Sequence, residues 1–364
     1  MKKLIVVFVL FASFLSPSKL VSDTNDGKQT KSFTVSKGGE LDVVVNSGDI
    51  RLSTWNKDEV NVDVDGIDEE DMNYLKITQS GNTIHVEYRP RWNWSGNVLF
   101  KISLPEQFDA DVHTSGGNIE VRGTMKGKLS GSTSGGDIRT DNIEGTTTLK
   151  TSGGDIRMGD VSGDAEVRTS GGEIKIEKAG KSLTASTAGG DVEVGDVGGD
   201  AQLSTSGGEV KVGKVSGSAM LKTAGGDIEL KSASGKVEAK TAGGNVQLEN
   251  ITGSIVARTA GGDVTAELIP SGKGDSELRS SGGNVMLSLP SNAKATIDAT
   301  IRIRDQWRHG EDEYDISSDF PAETKTADKD DGEIHAIYNL NGGGDKIVIE
   351  TTNGNIEIRK MNGK

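Results

Sequence analysis

The chain has 364 residues, a formal net charge of −14 and no cysteine, and only 33% of it is apolar and 4% aromatic. The lack of cysteine excludes disulfides, thiolate metal sites and a lipidated lipoprotein start. The acidic balance argues against nucleic acid or anionic lipid as a partner, because phosphate binding is driven by Lys and Arg. Fifty glycines against six prolines, without collagen's three-residue period, point to short strands and frequent corners in place of an ordinary globular core.

In chain order the first element reads as an export signal. Lys2 and Lys3 precede an apolar run over 4–15, and polar sequence begins at Ser16, a run too short to span a bilayer. Residues 1–22 are therefore expected to be a signal peptide, and the mature chain is expected outside the cytoplasm, in the periplasm, at the cell surface or secreted. Residues 23–112 carry strand-like runs at 41–45, 60–64, 84–88 and 99–104 without a strict repeat, and are expected to start and cap the fold.

From Thr114 a motif T/S-S/A-G-G-D/E/N-I/V recurs at Thr133, Thr151, Thr169, Thr187, Thr205, Thr223, Thr241, Thr259 and Ser280, with a spacing of 18 from Thr133 to Thr259. Each 18 divides into two units of nine. The fourth and sixth positions of a unit are apolar, as in Ile156 and Met158, Ala165 and Val167, or Val192 and Val194, with a polar residue between. That is strand alternation, and glycine about every nine residues disfavours helix. Equivalent strands recur in the same direction, so each pairs with its copy one coil away. The expected fold is all-β: a single-domain parallel β-solenoid of 18-residue coils over 113–285, with irregular β caps at both ends, the second over 286–364. Its nine to ten regular coils would form a rod of about 45 Å. Echoes of the motif at Asn46-Ser47-Gly48-Asp49-Ile50 and Thr352-Asn353-Gly354-Asn355-Ile356 assign both ends to the same solenoid.

These residues resemble the bacterial putative-adhesin family, once catalogued as a domain of unknown function. The resemblance lies in Gly38-Gly39-Glu40-Leu41, Ser47-Gly48-Asp49-Ile50-Arg51-Leu52, Trp55, the serial T-S-G-G-D-I motif, Leu104-Pro105, Leu289-Pro290 and the closing Thr352 to Ile358. It covers nearly all of the mature chain and implies an envelope-associated β-solenoid. It implies no catalytic residue and no cofactor.

Four features carry candidate chemistry. The threonine column from Thr151 to Thr259 has inward parity and reads as a corner ladder bonded to its neighbours or to turn backbone. The column Asp137, Asp155, Glu173, Asp191, Glu209, Asp227, Asn245, Asp263 either accepts turn N–H groups or binds Ca²⁺, although the second G-x-D of calcium-binding nonapeptides is missing. The column Lys150, Arg168, Ser186, Ser204, Lys222, Lys240, Arg258 is either a solvated face or a docking strip for an anionic glycan. Trp92 and Trp94 offer ring faces for sugar, or belong to the core of a cap. His85, His113, His309 and His335 are scattered, and no catalytic motif or metal spacing occurs in the sequence. The functional expectation is a non-catalytic, adhesin-like or structural binding module of the envelope, with Trp92, Trp94, Lys222, Lys240 and Arg258 as its candidate binding surface. A cell-wall glycan, an envelope protein or a second copy would be its partner. A polysaccharide-acting β-helix enzyme and a non-catalytic part in envelope stress signalling are the alternatives.

Overall fold

The computed structural model describes residues 23–25, 28–90, 98–304, 314–328 and 332–361. The expected signal peptide, His309 and both Trp92 and Trp94 lie outside these residues. Among the described residues the chain builds two long sheets of 17 strands each. Sheet A collects the strands that follow Gly-Gly, such as Ile156–Val161, Ile174–Ala179 and Val192–Val197; sheet B collects the alternate strands, such as Ala165–Arg168, Leu183–Ser186 and Ala201–Ser204. Pairing is parallel and in register with the 18-residue repeat. Ile156 lies opposite Ile174 and Ile174 opposite Val192 in sheet A, while Ala165 lies opposite Leu183 and Leu183 opposite Ala201 in sheet B. Neither sheet closes on itself. Sheet B ends in Leu75–Ser80 and Thr324–Asp328, and sheet A in Asp23–Asn25 and Ile316–Ser318, each paired on one side.

The alternating pattern produces this arrangement because its apolar positions all face the space between the sheets. Ile156, Met158, Ile174, Ile176, Val192 and Val194 are at most 3% exposed. A third inward position closes each sheet A strand, filled by Val161, Ala179, Val197, Val215, Ala233 and Ile251. Two consecutive outward residues, as at Gly159-Asp160, precede it and bend the chain into the corner. On sheet B large and small side chains exchange places between neighbours: Leu183 and Ala185 stack on Ala201 and Leu203. A large side chain on one strand thus faces a small one on the next, which suits the narrow interior.

The Gly-Gly corners have a different cause from the left-handed turns that glycine usually serves. A Cβ on Gly154 would stand 2.1 Å from the carbonyl oxygen of Gly136 in the preceding coil, and the same clash recurs at Gly172 and Gly226. The second glycine is there because coils stack backbone on backbone. The first is less constrained, a Cβ on Gly153 lying 3.5 Å from its nearest neighbour.

Aromatics concentrate in the caps, where Tyr88, Phe100, Phe108 and Tyr338 are the largest fully buried side chains. Tyr88 and Phe100 pack with ring centroids 5.9 Å apart. At both ends the order in space departs from the order in sequence. The coil formed by Gly39–Val45 and Asp49–Trp55 is inserted between Thr83–Tyr88/Leu99–Pro105 and Phe108–Thr114/Ile119–Met125. At the other end Asp345–Thr352 and Ile356–Lys360 are inserted between Ser276–Ser280/Val285–Leu289 and Ala295–Arg302/Ile316–Ser318. Both motif echoes thus sit in coils flanked on two sides. The exposed edges beyond them are covered by antiparallel strands and by side chains, as where Lys31 donates to the Ile77 carbonyl at 3.3 Å and Gln79 to that of Thr34 at 2.8 Å. Such cover blocks edge-to-edge pairing.

Candidate binding surface

Two of the polar columns are engaged in holding coils together. Each threonine hydroxyl donates to a glycine carbonyl of the coil before it, Thr151 to Gly136, Thr169 to Gly154 and Thr205 to Gly190, all at 2.8 Å. Most also accept the N–H of the second glycine in their own corner, as Thr205 does from Gly208 at 3.3 Å. The bond is to turn backbone, and the threonines are buried.

The Asp/Asn column also spans coils, not its own turn. Asp137 accepts the N–H of Asp155 at 3.0 Å and Asp155 that of Glu173 at 2.9 Å; Asp227 accepts from Asn245 at 2.6 Å and Asn245 from Asp263 at 2.9 Å. Glu173 and Glu209 carry one methylene more, and their carboxylates turn instead to Arg157, at 3.5 Å, and to Lys211. Among the described residues no group of three or more His, Asp and Glu is arranged to hold a metal ion.

Outside these two columns, the outward side chains of both sheets pair with one another along and across coils, and on the outer face of sheet B they include the basic column. On its C-terminal half Lys222, Lys240 and Arg258 stand in register on adjacent strands. Lys240 binds Glu238 at 2.6 Å and Lys222 lies 3.9 Å from the same carboxylate. Arg258 forks onto Glu277 at 2.7 and 2.8 Å, and Arg279 shares that carboxylate at 2.6 Å. The hydrogen bond from Lys240, with the fields of Lys240, Lys222 and Lys236, holds Glu238 below the ordinary carboxylate value against its partial burial. The hydrogen bond from Arg258 does the same for Glu277. Both carboxylates are thus ionised at neutral pH. Even so, Lys222, Lys240, Arg258 and Arg279 on these strands and the next, with Lys236 just ahead of Val237–Lys240, outnumber Glu238 and Glu277, leaving local positive charge on an acidic protein.

A shallow groove of about 440 Å³ borders this strip, lined by Thr184, Gln202, Met220, Lys236 and Glu238 among others. Toward the N-terminal end the face turns acidic. Glu40 lies opposite Asp109 and Asp42 opposite Asp111 on paired strands, all four pointing outward. The described histidines each have a different partner: His85 lies 3.2 Å from Asp42, His113 2.7 Å from Ser132 and His335 2.9 Å from Asp298. Burial alone would raise the Asp298 pKa, but hydrogen bonds from His335 and Lys346 outweigh it and hold the group low.

The acidic end escapes sequence reading because Asp42 and Asp111 are brought together by the inserted coil. Trp55, noted only for its part in the resemblance, lines a small cleft of about 180 Å³ with Lys37, Lys57 and Lys126. Its indole N–H donates to the Glu59 carbonyl at 2.8 Å, and the Lys57 ammonium covers its ring at 4.4 Å. A second open groove, about 670 Å³, runs over sheet A along Arg122, Arg139, Arg157 and Lys175. Each of these cations is tied to a carboxylate, Arg139 to Asp137 at 2.7 Å and Lys175 to Glu193 at 2.8 Å.

No curated protein matches the chain. Among solved structures, a putative adhesin from Bacteroides fragilis aligns at 12% identity over 93% of this chain and 98% of its own, with a TM-score of 0.24. A putative adhesin from Parabacteroides merdae aligns at 9% identity over the same shares, with a TM-score of 0.25. A putative lipid binding protein from Parabacteroides distasonis aligns at 13%, also over 93% and 98%, with a TM-score of 0.25. None of these overlaps is deep enough to transfer a fold or an activity. The family comparison is decisive: residues 93–195 and 178–359 each match the Toastrack DUF4097 model. The chain belongs to the Toastrack DUF4097 family.

Proposed function

We propose that the chain is a non-catalytic, adhesin-like binding module of the bacterial envelope, exported by the signal at its N-terminus, and that sheet B's outer face is its binding surface. One observation carries this reading. The threonine and Asp/Asn columns are used in stacking coils, whereas Lys222, Lys240 and Arg258 form an exposed, in-register strip with an excess of positive charge. An anionic cell-wall glycan, with charges repeating along a chain, fits such a strip, and the contact energy would be spread over several similar cations. Trp92 and Trp94 remain proposed sugar contacts.

The test is sedimentation of the protein with purified bacterial cell walls across a salt series. Single alanines at Asp191, Glu209 or Lys222 are expected to change the bound fraction less than twofold. The triple variant Lys222→Ala/Lys240→Ala/Arg258→Ala is expected to lose most of it, with the largest difference at low salt where screening is least. Wall polysaccharide cleaved by the parent, with the activity abolished by one of those single alanines, would defeat the proposal in favour of the enzyme.

A further inference from the structure

The same face of sheet B carries opposite charge at its two ends. Glu40, Asp42, Asp109 and Asp111 project from Gly39–Val45 and Phe108–Thr114. Glu87 lies one strand further out, on Thr83–Tyr88. Lys222, Lys236, Lys240 and Arg258 mark the other end. Six strand steps separate Phe108–Thr114 from Ala219–Lys222, about 29 Å at roughly 4.8 Å per step. Of the five strands between, Leu129–Ser132, Leu183–Ser186 and Ala201–Ser204 project only the uncharged Ser130, Ser132, Thr184, Ser186, Gln202 and Ser204 from their outward positions. Thr147–Lys150 and Ala165–Arg168 project Lys150, Glu166 and Arg168, and Glu166 takes up both cations within the face, at 3.6 and 2.9 Å.

We infer that this face pairs with the same face of a second copy, the two solenoid axes running in opposite directions, so that the acidic end of each lies over the basic end of the other. The inference rests on the reading of sheet B as the binding surface. The reverse arrangement, with axes parallel, sets acid on acid and base on base and is repelled. The overlap from Thr83–Tyr88 to Ile255–Thr259 spans about 48 Å by 13 Å, which buries about 1,200 Å² in total, the lower end of the range for specific interfaces. A reversible, salt-sensitive dimer follows. Because the self-complementary patches lie on one surface, the contact closes at two copies and does not propagate.

Sedimentation velocity on the full mature chain tests this. The parent is expected to be a dimer at 100 µM protein and about 20 mM salt and a monomer at about 500 mM. Glu40→Lys/Asp42→Lys/Asp111→Lys and Lys222→Glu/Lys240→Glu/Arg258→Glu are each expected to remain monomeric alone and to form a 1:1 dimer when mixed, because both contacts regain opposite signs. Far-UV circular dichroism confirms that each variant keeps its β content, and the salt dependence of the parent stands as a test without any variant. A parent that stays monomeric at low salt, a variant that dimerises like the parent, or a mixture that stays monomeric would each overturn the pairing. Wall binding separates the two proposals. The Glu40/Asp42/Asp111 variant keeps the basic strip, so it should lose pairing and retain binding to cell walls.

Discussion

The hydroxyl of Thr205 donates to the carbonyl of Gly190, in the preceding coil, at 2.8 Å, and accepts the N–H of Gly208 in its own corner at 3.3 Å. One buried side chain thus satisfies a backbone acceptor and a backbone donor on successive coils. Thr205→Val keeps the shape and removes both bonds, leaving two backbone groups without their partner, and is expected to cost about 1–3 kcal/mol. Thr205→Ser retains the hydroxyl and should cost less. Urea denaturation of the three proteins checks the order, and equal midpoints for the valine variant and the parent would contradict it.

The two glycines of a corner are expected to differ. A Cβ on Gly154 meets backbone of the preceding coil at 2.1 Å, whereas one on Gly153 has 3.5 Å of room. Gly154→Ala forces neighbouring coils apart and should lower the melting temperature sharply or prevent soluble folding. Gly153→Ala should be close to neutral.

Extending the Asp/Asn ladder is expected to stabilise the rod. At Glu209 the ladder is interrupted because the longer side chain pairs with Lys211. Glu209→Asn places an acceptor where Asp191 and Asp227 have theirs, toward the N–H of Asp227. The gain should be about 0.5–1.5 kcal/mol, against a surface ion pair of little worth. Calorimetry showing a lower melting temperature would contradict the ladder's energetic role.

Thr140 and Thr147 bury hydroxyl oxygens without a hydrogen-bond partner among the described residues. Thr147→Val removes that cost at nearly constant volume and is expected to add about 1 kcal/mol. At the well-packed Ile174, 1% exposed, substitution by Asp buries an unpaired charge and should cost on the order of 4–5 kcal/mol. Chemical denaturation reads both.

The regular coils were legible because period two and period 18 agree. Ile156, Ile174 and Val192 announce both the inward face and the in-register stacking. Less legible was anything set by the third dimension. Val161 and its equivalents follow two outward residues, so simple alternation misses them. The inserted end coil pairs Ile50 directly with Ile119 although five strands lie between them in sequence, and motif echoes alone do not reveal that order. The Gly-Gly signature was visible, but its cause, backbone stacked on backbone, required the coil-to-coil distance. The basic column was visible as well, whereas its sharing of Glu238 and Glu277, and the acidic patch at the far end of the same face, depend on neighbours remote in sequence.

The central claim is a division of labour: inward and corner columns hold the rod, and the outer face of sheet B binds. Cell-wall binding measured beside thermal stability for Thr205→Val and for Lys222→Ala/Lys240→Ala/Arg258→Ala tests it most directly. The threonine variant is expected to melt lower and, well below its melting point, to bind as the parent does. The triple variant is expected to melt within about 2 °C of the parent, as exposed ion pairs contribute little, and to lose most of its binding. A triple variant that binds cell walls as well as the parent does at low salt would contradict the claim.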